Sequence, residues 1–180
     1  MPESAGVWLW GGLLGLIIVQ RATELRRSRR NEAWARSQGG IEHGARHYPL
    51  FFLLHGGWLI GWAAEAWLRG PSLANGWPAW LGLFLAAQLL RYWAIITLGP
   101  RWTTRILVLP DRPPVEDGPY RYLRHPNYVA VTIELLSVPM LLGAWITAIV
   151  ATGLNALLLL GVRIPAEERA LAAERDGGFS

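Results

Sequence analysis

Five long apolar runs constrain this chain more than any other feature of its sequence. They cover residues 5–19, 48–68, 77–98, 128–142 and 145–162. A helix that crosses the hydrocarbon core of a bilayer needs roughly 20 mainly apolar residues. The first run is shorter, but Arg21 can reach the headgroups and its tryptophans suit an interface. We therefore predict an all-α, polytopic membrane helix bundle of about five transmembrane helices, formed by a single domain over residues 1–180.

The distribution of the arginines predicts the orientation of the bundle. Every basic residue is arginine, and the net charge is +4. Arginine-rich segments follow the first, third and fifth runs, whereas only Arg69 lies between the second and third. Since short arginine-rich loops stay in the cytoplasm, five spans place the N-terminus outside and the C-terminus inside. A basic balance can also indicate nucleic-acid binding, but arginines beside apolar runs favour membrane lipids as the partner, and no nucleic acid.

Two polar segments connect the runs on the predicted cytoplasmic side. Residues 21–47 are expected to form either a helix along the membrane surface or a solvated connector. The side chains that would contact the surface are Arg21, Glu24, Leu25 and Trp34. The pair Gly39 and Gly40 ends any helix there. Residues 99–127 are too polar and proline-rich to span, so we expect an extended path. Only a short turn near Gly143 joins the last two runs, which predicts a C-terminal helical hairpin.

Four ionisable side chains lie within the predicted spans, where a charge costs roughly 2.5–3.5 kcal/mol near the bilayer centre. They are His55, Glu65, Arg91 and Glu134. Glu65 lies near the outer end of its run and is expected to reach water, and a lone His55 is more often a structural hydrogen-bonding group than a ligand. Arg91 is expected either to pair with Glu134 or to line a cavity. Gln88, one turn deeper on the same face, favours a polar cavity.

The sequence does not favour a metal site. It contains no cysteine, which excludes disulfides and thiolate ligands. Of its four histidines, no two are expected on one helix face at a metal-binding spacing. A structural or catalytic zinc ion is therefore not expected.

The stretch GPYRYLRHPNY, residues 118–128, carries most of the polar chemistry and precedes the fourth run. It combines three tyrosines, two arginines, one histidine and two prolines. The prolines restrict the backbone, and Pro126 biases His125 away from a helical conformation. Such a segment suits the binding of a polar cofactor head. It equally suits an interfacial anchor, because tyrosine and arginine are common at headgroup level.

A second polar stretch, RIPAEERAL, residues 163–171, follows the fifth run on the same side. Pro165 is typical of a helix start, and the helix dipole favours Glu167 and Glu168 in the first turn. The functional interpretation is that a carboxylate accepts hydrogen bonds from a ribose diol or from an ammonium group. Because the last two runs form a hairpin, both stretches are predicted to meet at one membrane surface and to cover a site of cofactor size.

Together the two stretches resemble the isoprenylcysteine carboxyl methyltransferase family, which belongs with a wider group of membrane methyltransferases that includes phospholipid methyltransferases. The resemblance covers residues 88–172, and the upstream segments RATELRRSRRN and GGIEHGARHYP are similar to small bacterial members. It implies a compact helix bundle that binds S-adenosyl-L-methionine from the cytoplasm and admits a lipophilic substrate from the bilayer. No GxGxxG loop supports a soluble Rossmann-type methyltransferase. The extra N-terminal spans of larger eukaryotic relatives are missing, so we expect a small lipophilic acceptor rather than a prenylated protein.

The resemblance also implies roles for residues of this sequence. The 118–128 stretch matches the motif that surrounds S-adenosylmethionine, the twin glutamates match the acidic pair that closes the pocket, and Arg163 matches an arginine near the reacting groups. The predicted catalytic residues are Arg163, Glu167 and Arg91. The predicted cofactor-binding residues are Tyr120, Arg124, His125, Pro126, Tyr128, Glu168 and Gln88.

Three functions remain open on the sequence. The first is an S-adenosylmethionine-dependent O-methyltransferase with a lipophilic acceptor. A carboxylate acceptor needs no base and is oriented by an arginine, whereas a phenol or enol is helped by a general base such as a glutamate or His125. The second function is N-methylation of a phospholipid amine, which must first be deprotonated. The third is a non-enzymatic membrane protein whose polar clusters contact lipid headgroups.

Overall fold

The computed structural model describes residues 3–110 and 112–175 and is built almost entirely of helices. Along this part of the chain the helices are α1 Glu3–Ser37, α2 Tyr48–Leu68, α3 Trp77–Leu98, α4 Pro126–Leu141, α5 Trp145–Leu158 and α6 Ile164–Arg175. Two three-residue strands, β1 Ile41–His43 and β2 Ile106–Val108, pair with each other. The predicted all-α helix bundle is confirmed, with one minimal sheet added to it.

Helix length and hydropathy identify an integral membrane protein. Among the described residues, three helical stretches are long and apolar enough to cross a membrane: Ser4–Ser37, Trp77–Arg101 and Trp145–Ala173. α4 is apolar but has only 16 residues. α2 has 21 residues but carries a histidine and a glutamate. The count of five spans therefore stays a prediction for α2 and α4.

α1 corrects the prediction for the first part of the chain. The expected span and the expected surface helix are one uninterrupted helix of 35 residues, because residues 16–37 contain neither glycine nor proline. Arg21 and Glu24 do not lie on a membrane surface, since Glu24 is buried against α3 in an ion pair with Arg91. The helix ends just before Gly39, as predicted. The φ of Gly39 is 81°, which lies in the left-handed region that glycine adopts easily.

Between α3 and α4, the described residues 99–110 and 112–125 form no α-helix and follow the extended path that their prolines predict, interrupted by two short 3-10 turns. Within this segment β2 pairs antiparallel with β1, so that Glu42 lies opposite Leu107. The sheet joins the segment that follows α1 to the segment that follows α3. Its pairing was not predicted, because strands of three residues are too short to show a periodic pattern.

The last two runs form the predicted helical hairpin. α4 begins at Pro126, directly after His125, whose φ of −131° and ψ of 61° lie outside the helical region, as expected before a proline. Gly143 makes the connecting turn with φ 73°. The helix start expected at Pro165 is not a separate start, because α5 continues into α6 through a wide π-helical turn, Leu159–Arg163. Proline has no N–H to donate to the preceding turn, and the wide turn accommodates that loss.

The apolar core lies between α2, α3, α4 and α5. Trp58 of α2 is buried in it, and its indole N–H donates to the Leu135 carbonyl of α4 at 3.0 Å. Glu65 lies near the outer end of α2, where its side chain is 11% exposed and pairs with the partly exposed Arg69 at 3.0 Å. The carboxylate accepts hydrogen bonds from the backbone N–H groups of Ile146 (3.1 Å) and Thr147 (2.8 Å). Glu65 therefore satisfies the free N–H groups at the start of α5.

Candidate active site

A cavity of about 520 Å³ lies at the end of the bundle where α3 ends and α4 begins. Small-molecule sites typically have volumes of roughly 300–1,000 Å³. Its walls include the first turns of α2, the segment around β2 (residues 101–109), the 118–128 stretch and the junction of α5 with α6, and residues of α1 and α3 complete the lining. Both polar stretches that the sequence indicates therefore meet at one cavity.

The 118–128 stretch is held rigidly against its neighbours. Gly118 has φ 57°, and a side chain there would lie 2.5 Å from the Thr97 hydroxyl on α3, so only glycine fits. Farther along, the His125 ring stacks on the Tyr128 ring, with 5.3 Å between the centroids and 17° between the planes. The polar groups are thus positioned before any ligand binds, as a binding site requires.

Tyr128 joins the two polar stretches. Its hydroxyl donates a short hydrogen bond to the Glu167 carboxylate and accepts one of 2.9 Å from the Arg163 Nε–H. The Arg163 guanidinium also lies 5.4 Å from the Phe51 ring centroid and donates to the Thr104 carbonyl at 2.8 Å. We call Arg163, Tyr128 and Glu167 the outer cluster. It places a cation, a phenol and a carboxylate side by side in the cavity wall.

Glu168 and Arg124 lie at the edge of the same site. The Glu168 carboxylate is 3.4 Å from His125 Nε2 and 3.7 Å from the Arg124 guanidinium. Its side chain is 48% exposed, whereas that of Glu167 is 28% exposed. The twin glutamates therefore differ, because Glu167 faces the cavity and Glu168 faces the solvent.

Burial changes the proton affinity of two groups beside the cavity. Burial, assisted by the Glu167 carboxylate, raises the pKa of Tyr120 above its usual value. The Tyr120 phenol therefore stays protonated at neutral pH and acts as a hydrogen-bond donor rather than a base. Burial and the Arg163 cation lower the pKa of His47, just before α2, so this imidazole is neutral at pH 7.

Sequence reasoning missed the wall that the segment around β2 forms. Thr104 and Arg105 line the cavity beside Tyr48 of α2, and the Arg105 guanidinium lies 4.2 Å from the Tyr48 ring centroid. Arg105 also pairs with Glu42 of β1 at 2.5 Å. The sequence signal that could have revealed this wall is the short run ILVL between polar residues and a proline, because such a run is typical of a strand.

A second charged cluster lies between α1, α3 and α4. Arg91 donates to Glu24 from Nε at 2.7 Å and from Nη2 at 2.5 Å, and it is 3.3 Å from Glu134. Arg21 is 2.7 Å from Glu134. We call these four residues the inner cluster. Both interpretations of Arg91 are confirmed, since it pairs with Glu134 and also lines the cavity. Nearby, His55 Nδ1 bonds a backbone carbonyl of its own helix at 2.7 Å, which is the structural role expected for it.

Most of the predicted site residues line the cavity. They are Arg91, Tyr120, Arg124, His125, Tyr128, Arg163 and Glu167. The other three have different positions. Gln88 accepts a 2.7 Å hydrogen bond from Gln20 of α1, Pro126 is buried at the start of α4, and Glu168 contacts His125 at the edge.

The donor and acceptor groups of the cavity fit a cationic nucleoside cofactor. Among its lining residues, the side-chain oxygens of Asn127 and Asn155 and the indole N–H of Trp102 are buried without a protein partner. Buried polar atoms left unpaired are costly, and the amino, hydroxyl and carboxylate groups of a nucleoside amino acid would satisfy them. The Glu167 carboxylate and the Tyr128 ring suit a sulfonium cation. In the part of the chain that the structure describes, no group of three or more histidine, aspartate or glutamate side chains is arranged to hold a metal ion.

The fold and the site together are those of an integral membrane protein, a helix bundle with a cofactor-sized cavity at the mouth of its last hairpin. The model of the isoprenylcysteine carboxyl methyltransferase (ICMT) family matches residues 80–173, which include most of α3, both polar stretches and the hairpin. The chain belongs to this family. Family membership makes it a membrane methyltransferase and confirms the resemblance inferred from its two motifs.

Two relatives match almost the whole chain. It is 40% identical over 164 residues to the uncharacterized protein YpbQ of Bacillus subtilis (strain 168), which covers 91% of this chain and 95% of the relative. It is 29% identical over 157 residues to an uncharacterized protein of Haemophilus influenzae, which covers 87% of this chain and 91% of the relative. No solved structure matches the chain. Because both matches extend well beyond the part of the chain that the family model matches, the relatives share most of α1 to α3 as well.

Proposed function

We propose that this protein is an integral membrane O-methyltransferase that uses S-adenosyl-L-methionine to methylate a carboxylate or hydroxyl group of a lipophilic acceptor. The observation that carries the proposal is the outer cluster, in which the Tyr128 hydroxyl bridges Arg163 and Glu167 in the wall of a cofactor-sized cavity. The cofactor, when bound, supplies an electrophilic methyl group on a positively charged sulfur. The chain's own residues must hold the two reactants and keep water away.

The outer cluster supports a division of tasks among its side chains. Glu167 and the Tyr128 ring offer negative charge to a sulfonium, and the Tyr120 phenol donates a hydrogen bond beside them. Arg163 is buried in the cavity wall. Its planar guanidinium has several N–H donors in a fixed arrangement, which suits it to orient the acceptor oxygen. Alignment of two reactants in this way contributes roughly 7–11 kcal/mol in favourable cases. Arg91 as a further catalytic residue and Gln88 as a cofactor ligand stay predictions.

The cavity wall also supports a lipophilic acceptor. Leu25 of α1 and Phe52, Gly56 and Leu59 of α2 line the side of the cavity between these two helices. Phe52 is 64% exposed on the outside of the bundle, where lipid lies. A hydrocarbon chain that passes between α1 and α2 would contact mainly apolar groups there, while its polar head reaches the outer cluster.

We place the protein in a bacterial inner membrane, with the N-terminus outside and the C-terminus in the cytoplasm. The arginines at the end of α1, around β2 and at the start of α6 occur at the end of the bundle that contains the cavity. The bias of arginine towards cytoplasmic segments then puts the cavity mouth in the cytoplasm. In this orientation the site faces the soluble cofactor, and membrane lipids surround the helices.

The proposal is tested with detergent-purified protein. Calorimetry should show micromolar binding of S-adenosylhomocysteine. Methyl-labelled S-adenosylmethionine, added together with a lipid extract of the source cells, should give a labelled lipid whose mass identifies the acceptor. A product labelled on an amine nitrogen would instead indicate phospholipid N-methylation. Absence of both binding and labelled product would contradict the proposal.

A matched pair of variants distinguishes the twin glutamates. Glu167→Gln removes the charge that bonds the Tyr128 hydroxyl, and Glu168→Gln removes the charge at the exposed edge. Hydrogen bonds to charged groups contribute about 1.5–3 kcal/mol, so Glu167→Gln should weaken S-adenosylhomocysteine binding by about 10-fold or more. Glu168→Gln should weaken it by less than about fivefold, as an exposed ion pair does. The reverse order would assign the cofactor contact to Glu168.

A further inference from the structure

A chain of hydroxyl groups leads from the cavity to a carboxylate near the surface. The Tyr48 hydroxyl is 3.1 Å from the Thr104 hydroxyl, and both residues line the cavity. The Thr104 hydroxyl is 2.9 Å from that of Ser28 on α1, and Ser28 donates to the Glu32 carboxylate at 2.6 Å. Ser28 is almost fully buried, whereas the Glu32 side chain is 16% exposed. The hydroxyl chain therefore connects the cavity with the solvent through groups that the proposed function does not use.

The direction of each hydrogen bond follows from the number of available protons. A serine or threonine hydroxyl has one proton to donate. Ser28 gives its proton to Glu32 and also accepts the Thr104 backbone N–H at 2.9 Å, so the Thr104 hydroxyl donates outward, to Ser28 at 2.9 Å or directly to Glu32 at 3.5 Å. Tyr48 must then donate to Thr104. All donors point away from the cavity, which leaves a lone pair of the Tyr48 oxygen free to accept a proton from inside.

Thr104 connects the hydroxyl chain with the proposed reacting groups. Arg163 donates to the backbone carbonyl of Thr104 at 2.8 Å, and the Thr104 hydroxyl belongs to the chain. The Arg105 guanidinium is 4.2 Å from the Tyr48 ring centroid and 3.4 Å from the Glu32 carboxylate. Because the Arg105 cation is close to both ends of the hydroxyl chain, it stabilises the form of the hydroxyl chain that has lost one proton.

We propose that Tyr48, Thr104, Ser28 and Glu32 form a proton relay that removes the hydroxyl proton of the acceptor during methyl transfer. As the acceptor oxygen forms its bond to the methyl carbon, the carbon–sulfur bond breaks and its electron pair stays on sulfur. The acceptor O–H bond breaks, and its proton passes to Tyr48. Each hydroxyl then gives its own proton to the next group, and Glu32 releases one proton to water.

The relay rests on the proposed function and narrows it to one class of acceptor. Methylation of a carboxylate releases no proton, so a carboxylate acceptor has no use for an outward chain of donors. Methylation of a hydroxyl group must release one. The acceptor class is therefore a lipophilic compound with an acidic hydroxyl group, such as a phenol with a long alkyl chain.

The experiment removes the central hydroxyl of the relay and compares it with a neighbouring one. Thr104→Val breaks the chain, Thr104→Ser restores it, and Thr103→Val removes a hydroxyl that instead donates to the Arg105 carbonyl at 2.6 Å. With a long-chain alkylphenol as acceptor, Thr104→Val should lower kcat by about 100-fold, the lower end of general acid–base catalysis. Thr103→Val should change kcat by about twofold or less. The KM of the phenol and the affinity for S-adenosylhomocysteine should stay at wild-type values in every variant, and Thr104→Ser should recover most of the activity.

Several results would overturn the relay. An unchanged kcat in Thr104→Val would do so directly. A parallel loss of S-adenosylhomocysteine affinity and kcat would show that Thr104 only holds the wall in place. Methylation of a long-chain carboxylic acid but not of the phenol would remove the need for a relay and leave the methyltransferase intact. If the protein binds no S-adenosylhomocysteine and methylates neither acceptor, the proposed function itself fails.

The wild-type protein provides a second test if Thr104→Val does not fold. The single-turnover rate of phenol methylation should be lower in D₂O than in H₂O, because several hydroxyl protons move in the same step. The dependence of this rate on the deuterium fraction should be curved, as expected when more than one proton contributes. A rate that is equal in both solvents would contradict the relay.

Discussion

The inner and outer clusters contain the same kinds of charged side chains in different surroundings. In the inner cluster, two arginines and two glutamates are joined by ion pairs of 2.5, 2.7, 2.9 and 3.3 Å, and Glu134 is fully buried. In the outer cluster, one arginine and one glutamate are bridged by a tyrosine hydroxyl, and Glu167 is partly exposed to the cavity. The charges of the inner cluster are paired directly with one another, although Arg21, Glu24 and Arg91 also line the cavity. In the outer cluster a neutral hydroxyl separates the cation from the carboxylate.

This difference indicates that the inner cluster stabilises the fold, whereas the outer cluster takes part in the chemistry. A buried charge is tolerated only when it is paired and hydrogen-bonded, so the inner cluster must stay intact to hold α1, α3 and α4 together. The outer cluster leaves hydrogen-bonding capacity in the cavity, and polar atoms of Asn127 and Asn155 nearby also lack protein partners. Variants of the inner cluster should therefore lower stability, and variants of the outer cluster should lower activity.

The largest expected effect is on the stability of an inner-cluster variant. Arg91→Met leaves the buried carboxylates of Glu24 and Glu134 with Arg21 as their remaining partner cation, so the free energy of unfolding should fall by about 3–5 kcal/mol. Arg69→Met breaks a partly exposed pair with Glu65 and a contact of 5.4 Å with the Trp145 ring centroid, and it should cost at most about 1 kcal/mol. Thermal and denaturant unfolding in detergent measure both. If Arg91→Met is as stable as wild type but inactive, Arg91 is a catalytic residue and the contrast between the clusters fails.

The next effect is on the activity of an outer-cluster variant. Arg163→Ala removes the cation that is proposed to orient the acceptor, and loss of one such group should lower turnover by about 100-fold or more. Arg169→Ala removes an exposed arginine of α6, which contacts the Pro165 carbonyl at 3.0 Å, and should keep near wild-type turnover. Initial rates with labelled cofactor measure the difference. Retained turnover in a folded Arg163→Ala protein would reject the assignment of the site.

A smaller loss of activity is expected when the bridge of the outer cluster is removed. Tyr128→Phe keeps the ring that stacks on His125 but deletes the hydroxyl between Arg163 and Glu167. A hydrogen bond to a charged group contributes about 1.5–3 kcal/mol, so kcat/KM should fall by about 10- to 100-fold. Tyr122→Phe, at a tyrosine that is 74% exposed, is the matched control and should have no effect. Equal kcat/KM values for the two variants would show that the bridge does not contribute.

The two clusters also differ in how far the sequence predicted them. The outer cluster was predictable because its stretches adjoin the two ends of a hairpin, so a short turn near Gly143 is enough to bring them together. The inner cluster was only half predictable. Arg91 and Glu134 are conspicuous in apolar runs, but Glu24 lies in an arginine-rich segment where a glutamate is ordinary. Only the unbroken course of α1 brings Glu24 into the bundle, and no local pattern revealed that.

The smallest expected effect concerns Glu42, whose ion pairs hold β1 against β2 at the cavity wall. Burial alone raises the pKa of Glu42, but hydrogen bonds and ion pairs from Arg105 and Arg36 outweigh it and bring the pKa below the ordinary value. A lowered pKa in the folded state means that these pairs stabilise the sheet above the unfolded-state pKa. The contribution is lost as the pH falls through the folded-state pKa. The pairs are partly exposed, so the sheet should lose at most about 1 kcal/mol.

Hydrogen exchange of the β1 and β2 amides, corrected for intrinsic rates, should show this loss in wild type and not in Glu42→Gln. Amide protection in the wild type that does not change as the pH falls would contradict this prediction.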